Sequence, residues 1–258
     1  MVEFINLFIM APEYLHCYFS YENGIDFLTT RRFHLASMSE FNDPFEFLPK
    51  TDYPLFFLSL NKYSTPVSIK MKVDRLRNDN LFVCGERVTR KAKAFVGRMN
   101  LFRIGCFSEV DDNILMWSHY CRKHTGILVT FKTAWDYWGN DFHQVNYSDE
   151  PLDIEDNDVC LAGDNSQKKL LTQKASCWSY EKEWRYIKCS HECLKDGPDS
   201  YYKEVNLRSI VKIVVGCKIS EENLINCLKV VKNNLPDVPV FEADPSGLSY
   251  SLEMNRII

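Results

Sequence analysis

Two short, mostly apolar runs constrain this chain most: GILVTF at residues 126–131 and SIVKIVVGC at 209–217. Runs of β-branched residues at this length are strand signals, and so many successive apolar positions read as strands buried within a sheet. Further strands are predicted over YLHCYFSY (14–21), FHLASMSEF (33–41), LFRIGCFS (101–108), FHQVNYS (142–148), EKEWRYIKC (181–189), VPVFEA (238–243) and LSYSLEM (248–254). Helix signals fall between them. Ile25 and Leu28 sit one turn apart in ENGIDFLTTRR (22–32), and ILMWSHYCRKH (114–124) and QKKLLTQKA (167–175) carry helical spacing. Ser220 is a good N-cap with Glu221 and Glu222 in the first turn of a helix running to about Asn233. Helices are also expected across 52–103, where apolar runs alternate with basic stretches, and PLDIEDNDVCLAGDNSQ (151–167) reads as an acidic loop leading into a helix. Strands and helices are mixed without a regular βαβ alternation. The predicted class is therefore α+β, with a mixed or split sheet core and flanking helices. The ten glycines form no G-x-G-x-x-G and no P-loop, which disfavours a doubly wound dinucleotide fold.

A length of 258 residues suits a single domain, and 45% hydrophobic with 26% charged residues is ordinary globular composition. The net charge of −4 gives no overall basic field for nucleic acid, so such a partner would need a local patch, such as the basic residues between 85 and 103. No apolar run approaches the roughly 18 residues of a spanning helix, so no membrane partner is expected. The N-terminal apolar stretch follows Glu3 rather than a basic region and lacks a small-residue cleavage site, which predicts a cytoplasmic protein without a signal peptide. Ten cysteines form no C-x-x-C, and they read as reduced, mostly buried thiols. The closest pair, Cys189 and Cys193 with His191 between, lacks a second ligand pair at finger-like spacing, so no metal is expected there.

Three clusters carry residue types suited to chemistry. Asn42-Asp43-Pro44-Phe45-Glu46 places two carboxylates and an amide on a proline-stiffened turn straight after a predicted strand, where sites are usually built. The plainer reading is an Asx-turn, with Asn42 or Asp43 bonded to its own backbone. In Trp117-Ser118-His119-Tyr120, Trp117 and Tyr120 share a helix face, with Ser118 and His119 elsewhere. An aromatic face beside a polar edge suits a flat heteroaromatic ligand; the plainer reading is core aromatics and a hydrogen-bonded histidine. No nucleophile-elbow pattern surrounds Ser108 or Ser118. In Trp178-Ser-Tyr-Glu181-Lys-Glu183-Trp-Arg185, an extended chain would point Glu181, Glu183 and Arg185 one way and Lys182, Trp184 and Tyr186 the other. Carboxylates so placed repel unless a positive group sits between them or one has a raised pKa. Such a pair suits acid–base work or a cationic or hydroxyl-bearing ligand. The plainer reading is an Arg185–Glu salt bridge fixing an edge strand.

Together, FNDPFE after a short strand, CFS…MWSHY…H-x-G-I, W-x-YEKEWR and the closing IVVGCKISEEN resemble the bacterial domain-of-unknown-function 2971 family, in order and spacing, from about Tyr14 to Met254. One departure is Cys17-Tyr18, where the family's first strand often reads Lys-Tyr, so the resemblance carries over no role for a basic group at that position. The motif layout is in turn similar, at the level of fold, to ADP-ribosyltransferases. That likeness implies NAD as substrate, without a metal. Glu183 would hydrogen-bond the nicotinamide ribose, and Glu181 would orient or deprotonate an acceptor or a water. Tyr18, Asn42, Asp43, Ser108, Trp117, His119 and Tyr120 would line the NAD site, with Glu46, Trp178 and Arg185 in support. The acceptor would be a protein or nucleic acid. Some members of the resembled family are associated with phage-defence or abortive-infection loci, which would suit a NAD-consuming toxin. Two other classes stay open: a carboxylate- or metal-dependent hydrolase such as a nuclease, using Asp43, Glu46, Glu181, Glu183 and His119, and a non-catalytic module that binds a ligand or phage component.

Overall fold

The two apolar runs become neighbouring strands in the interior of an eight-stranded sheet. The computed structural model describes residues 10–47, 97–152 and 164–258; the helices expected across most of 52–103 and most of the acidic loop fall outside them. The described strands are β1 (Tyr14–Phe19), β2 (Arg32–His34), β3 (Phe102–Ser108), β4 (Ile127–Lys132), β5 (Phe142–Gln144), β6 (Asn146–Ser148), β7 (Gln173–Ala175), β8 (Glu183–Cys189), β9 (Leu194–Lys195), β10 (Tyr201–Glu204), β11 (Ile210–Gly216), β12 (Val240–Pro245) and β13 (Leu252–Arg256). The helices are α1 (Tyr21–Thr30), α2 (Ile114–His119), α3 (Trp135–Trp138), α4 (Asp164–Leu171) and α5 (Glu221–Asn234). The large sheet runs β13-β12-β11-β4-β1-β3-β8-β5, and only the β11–β12 pair is parallel. Smaller sheets, β2-β10-β9 and β6-β7, complete a mixed α+β architecture.

Local chemistry explains the helix ends. Ser20 caps α1 by accepting from the Asn23 N–H, and Ser220 caps α5 by accepting from the Asn223 N–H. Asn113 caps α2 through the N–H groups of Leu115 and Met116. After α2 the chain turns back through three consecutive left-handed residues, Arg122, Lys123 and His124. This turn requires glycine on both sides: a Cβ on Gly126 would lie 2.1 Å from the Phe19 carbonyl oxygen, and one on Gly216 2.2 Å from that of His124.

Strand alternation separates the two faces of the sheet. One face carries Leu15, Phe107, Ile127, Val129, Phe131, Trp184, Ile213 and Val215, under Phe27 and Leu28 of α1 and Cys227 and Val231 of α5. Edge-to-face rings knit this layer: Trp138 meets Phe33, Phe107, Phe131 and Tyr186 at 5.3–6.0 Å. The other face holds two smaller clusters, Trp117 with Cys121, Leu128, Val214 and Ala243, and Phe47 with Met99, Ile104, Leu170, Leu171 and Ile187. Polar residues occupy the sheet between them.

Several predicted elements need correction. FHLASMSEF is strand only through His34, then a bridge at Ala36 and a 3-10 turn Met38–Glu40 closed by Ser37 and Glu40. FHQVNYS divides into β5 and β6, which serve different sheets. QKKLLTQKA is helical only to Leu171, and its last residues form β7. EKEWRYIKC is strand only from Glu183, because Ser176–Glu181 coils as a 3-10 helix and Lys182 turns left-handed. Of the basic stretch, Arg103 is buried; it donates to the Asn100 and Phe102 carbonyls and lies 4.0 Å over the Tyr201 ring. None of the eight described cysteines is in a disulfide; Cys17, Cys121 and Cys227 are buried, and the Cys193 thiol turns to the Cys189 carbonyl. No helix among the described residues is long and apolar enough to cross a membrane.

Candidate functional site

Register aligns a polar row straight across the sheet. Lys212 of β11 pairs with Thr130 of β4, Thr130 with His16 of β1, His16 with Ser108 of β3, and Ser108 with Glu183 of β8. Directly paired residues share a face, so all five side chains leave the sheet on the side away from the aromatic layer. One step along, Cys106 pairs with Arg185 on the same face.

At the Glu183 end the row meets a buried ionic cluster. The Arg185 Nε donates to Glu183 Oε1 at 2.8 Å, and its terminal nitrogens reach Glu183 Oε2 (3.1 Å), Glu46 Oε2 (3.2 Å) and the Leu171 carbonyl (2.6 Å). Lys174 Nζ sits among three carboxylates, at 2.6 Å from Glu181 Oε2, 3.0 Å from Glu183 Oε2 and 3.0 Å from Glu46 Oε1. The last is an ion-pair contact without hydrogen-bond alignment, which leaves Glu46 Oε1 with no hydrogen bond. The Tyr120 hydroxyl donates to the remaining Glu181 oxygen at 2.6 Å. Lys174 is thus the positive group that two adjacent carboxylates demand. It comes from β7, outside the Glu-x-Glu motif.

The electrostatics follow from burial against charge. Burial alone would raise the Glu183 carboxyl, but Arg185 and then Lys174 outweigh it and hold the group down at about 2. Burial prevails at Glu46, whose pKa is raised despite the same two cations. Burial likewise pushes Tyr120, Tyr18 and Cys106 up, so these stay protonated donors at neutral pH, with Glu181 adding to the shift at Tyr120. Three carboxylates face two cations, so the fully ionised cluster carries one uncompensated negative charge.

A hollow of about 110 Å³ opens beside the cluster, lined by Tyr18, Asn42, Ser108, Tyr120, Glu181 and Glu183, with His16, Cys106 and Lys174. Six residues singled out from sequence therefore converge on one cavity. Cys106 is surrounded by protein yet solvent reaches it, as expected for a side chain on the wall of a deep hollow.

Ser108 and the remaining candidates have other roles. Ser108 touches the hollow, but its hydroxyl donates to the Glu181 carbonyl at 2.6 Å and accepts from the Val110 N–H, so it ties β3 to the Glu181 turn. Trp117 is fully buried, with its indole N–H on the Asp111 carbonyl and Tyr18 against its ring. His119 is exposed, near the Trp178 ring and outside the hollow. Asp43 forms the Asx-turn, accepting from the Phe45 N–H, and also accepts from the Trp178 indole N–H at 2.7 Å. Glu46 and Arg185 belong to the ionic cluster, behind the hollow. The Arg185–Glu183 salt bridge exists, but in the interior, on the second strand from the sheet edge.

Sequence reading missed Lys174 and His16. Lys174 looked like a helix residue, and His16 stood inside an aromatic strand; the signal for each was a polar side chain on a face otherwise destined for burial.

Residues 116–186, which hold Tyr120, Lys174, Glu181, Glu183 and Arg185, match the model of a family described as a protein of unknown function (DUF2971). No curated protein and no solved structure matches the chain.

Proposed function

We propose that this protein is an ADP-ribosyltransferase-like enzyme that breaks the bond between nicotinamide and ribose in NAD, passing the ADP-ribosyl group to an acceptor or to water. One observation carries the reading: Glu181 and Glu183 converge on a small hollow beside Tyr18, Asn42 and Tyr120, and Glu183 is kept ionised there. A leaving nicotinamide turns the ribose into an oxocarbenium-like cation, and a fixed negative charge aimed at that cation stabilises the transition state more than the substrate.

The dimensions suit only part of the substrate. A cavity of roughly 150 Å³ holds a benzene molecule, so a hollow of about 110 Å³ admits one edge of the nicotinamide ribose and leaves the adenylate end outside, past the exposed Asn42. Tyr18 and Tyr120 supply the aromatic wall. Each carboxylate oxygen of Glu181 and of Glu183 Oε1 accepts a single hydrogen bond from the protein, so one lone pair of each remains for ribose hydroxyls. Lys174 and Arg185 hold the pair in place, and Glu46 shares both cations with it.

A metal-dependent hydrolase fits this donor set less well. The point where Glu46, Glu181 and Glu183 converge, and where a divalent ion would sit, is filled by the Lys174 ammonium. A toxin role in phage defence is compatible with NAD consumption and rests on the family resemblance alone.

The test is nicotinamide release from NAD by the purified protein. Turnover is expected, and Glu183→Gln should lower kcat by about 10²–10³-fold in protein that circular dichroism shows to be still folded at the assay temperature. Absence of nicotinamide release, of any modified protein or nucleic acid and of a NAD-induced thermal shift would remove this reading. Full biological activity in Glu183→Gln would favour a binding module instead.

A further inference from the structure

We propose that His16 is the general base of this site, taking the proton from the attacking water or acceptor hydroxyl across the hollow from Glu183. This rests on the NAD-cleaving reading above and assigns the proton-transfer step that Glu181 would otherwise have to perform.

The placement comes from the sheet. His16 stands in the polar row two strands from Glu183, with Ser108 between them. At about 4.8 Å per strand, their backbones are roughly 10 Å apart, and both side chains line the same hollow. His16 lines the hollow, and its Nδ1 lies 3.0 Å from the Thr130 hydroxyl on the neighbouring strand. With Nδ1–H donating to Thr130, the lone pair of Nε2 is left for substrate, and no protein hydrogen bond reaches that nitrogen among the described residues. Thr130 is buried on the central strand β4, so the ring is oriented by a rigid element.

Elimination among the lining residues points the same way. Tyr18, Tyr120, Cys106 and Cys17 are pushed by burial to hold their protons. Lys174 is kept protonated by Glu183, Glu46 and Glu181. Glu183 is held at about 2 and is too weak a base, and Glu181 already accepts from both Tyr120 and Lys174. His16 remains. Burial lowers its pKa, so the ring is neutral near pH 7 and free to accept a proton. The charged groups acting on it are Asp111 and Asp112 of the loop after β3, which favour protonation, and Lys212 of β11, which opposes it; Lys212 is itself paired with Asp111 at 2.6 Å. Glu181, Glu183 and Lys174 face it from the far wall.

The step balances. The bond from ribose C1′ to the nicotinamide nitrogen breaks, and its electron pair leaves with neutral nicotinamide. The water oxygen bonds to C1′, its proton moves to His16 Nε2, and the imidazolium then releases that proton to solvent. Hydrolysis of NAD thus yields ADP-ribose, nicotinamide and one proton.

The experiment measures nicotinamide release against pH for the wild type and His16→Asn, with NAD affinity by calorimetry. Asparagine keeps a donor near the Nδ1 position but cannot accept a proton. The wild-type kcat should fall on the acid side with an apparent pKa below 6.5. His16→Asn should lose about 10²–10⁴-fold in kcat, lose that acid limb and keep NAD affinity within about threefold. Azide, an anionic nucleophile that needs no base, should restore much of the variant's nicotinamide release while leaving the wild type little changed. Wild-type turnover that survives in His16→Asn, or an acid limb that persists in it, overturns the assignment alone. A wild-type protein that releases no nicotinamide overturns the NAD reading and this assignment with it.

Discussion

At the scale of single residues, Lys174 decides whether the site exists. Its ammonium is within 3.0 Å of three buried carboxylates, and Arg185 is the second cation of the cluster. Removing one partner from a buried ionic cluster strands the rest, which typically costs ~3–5 kcal/mol. Lys174→Met should therefore destabilise the protein by about that amount in urea unfolding at pH 7. Glu46→Gln should cost far less, since it leaves two carboxylates facing two cations and removes the carboxyl that burial already strains. Equal costs for the two variants would mean that the cluster is held by packing rather than by charge. The Glu-x-Glu pair itself was legible in sequence, as was its need for an intervening positive charge. The identity of that charge was not, because it arrives from a strand whose pairing with β6 depends on tertiary structure.

At the scale of elements, the site depends on one backbone reversal. An extended Trp178–Arg185 segment would have pointed Glu181 and Glu183 the same way by alternation alone. They reach the same lysine by another route: the 3-10 helix ends at Glu181, Lys182 adopts φ 43° and ψ 54°, and β8 begins at Glu183. Nothing local signals that turn, since lysine has no preference for the left-handed region, whereas Ser220 announced α5 through its own side chain. A non-glycine residue held there costs of order 1 kcal/mol or more. Lys182→Gly should hold or raise stability by up to ~1 kcal/mol and keep the site intact, because the Lys182 side chain is exposed. Lys182→Val should lose ~1–3 kcal/mol and reduce nicotinamide release, as the β-branched residue pulls the turn toward the extended form and parts the two carboxylates. If the valine variant unfolds at the wild-type urea concentration, the turn is not under strain. The same distinction explains β5 and β6. FHQVNYS has strand-like residues throughout, but the Val145 N–H donates to the Glu183 carbonyl and the Glu183 N–H donates to the Tyr147 hydroxyl, so the strand breaks where it supports the site.

At the scale of the whole molecule, the two faces of the sheet divide the work. The aromatic face was legible as composition and alternation. The polar row from Lys212 to Glu183 was not, because it exists only once β11, β4, β1, β3 and β8 are set side by side. That row ends in charges buried on folding, so stability must depend on pH, with a sign set by the direction of each shift. Glu183 has a folded pKa of about 2 against an ordinary 4.5. Its stabilisation is complete above about pH 4.5 and is lost as pH falls toward 2. Glu46 is shifted the other way by burial, so its effect favours the folded state below pH 4.5 and fades as pH rises through its folded value. Asp111, held low through the Lys212 pair despite its burial, acts with Glu183. Between pH 4.5 and 2 the wild-type urea midpoint should therefore fall. Glu183→Gln should start lower and fall less over that window, while Glu46→Gln should keep the acid loss and flatten the profile above pH 4.5. A Glu183→Gln variant with the full wild-type acid slope would place the titrating group elsewhere, and would leave the carboxylate at the hollow without the permanent charge on which the proposed chemistry depends.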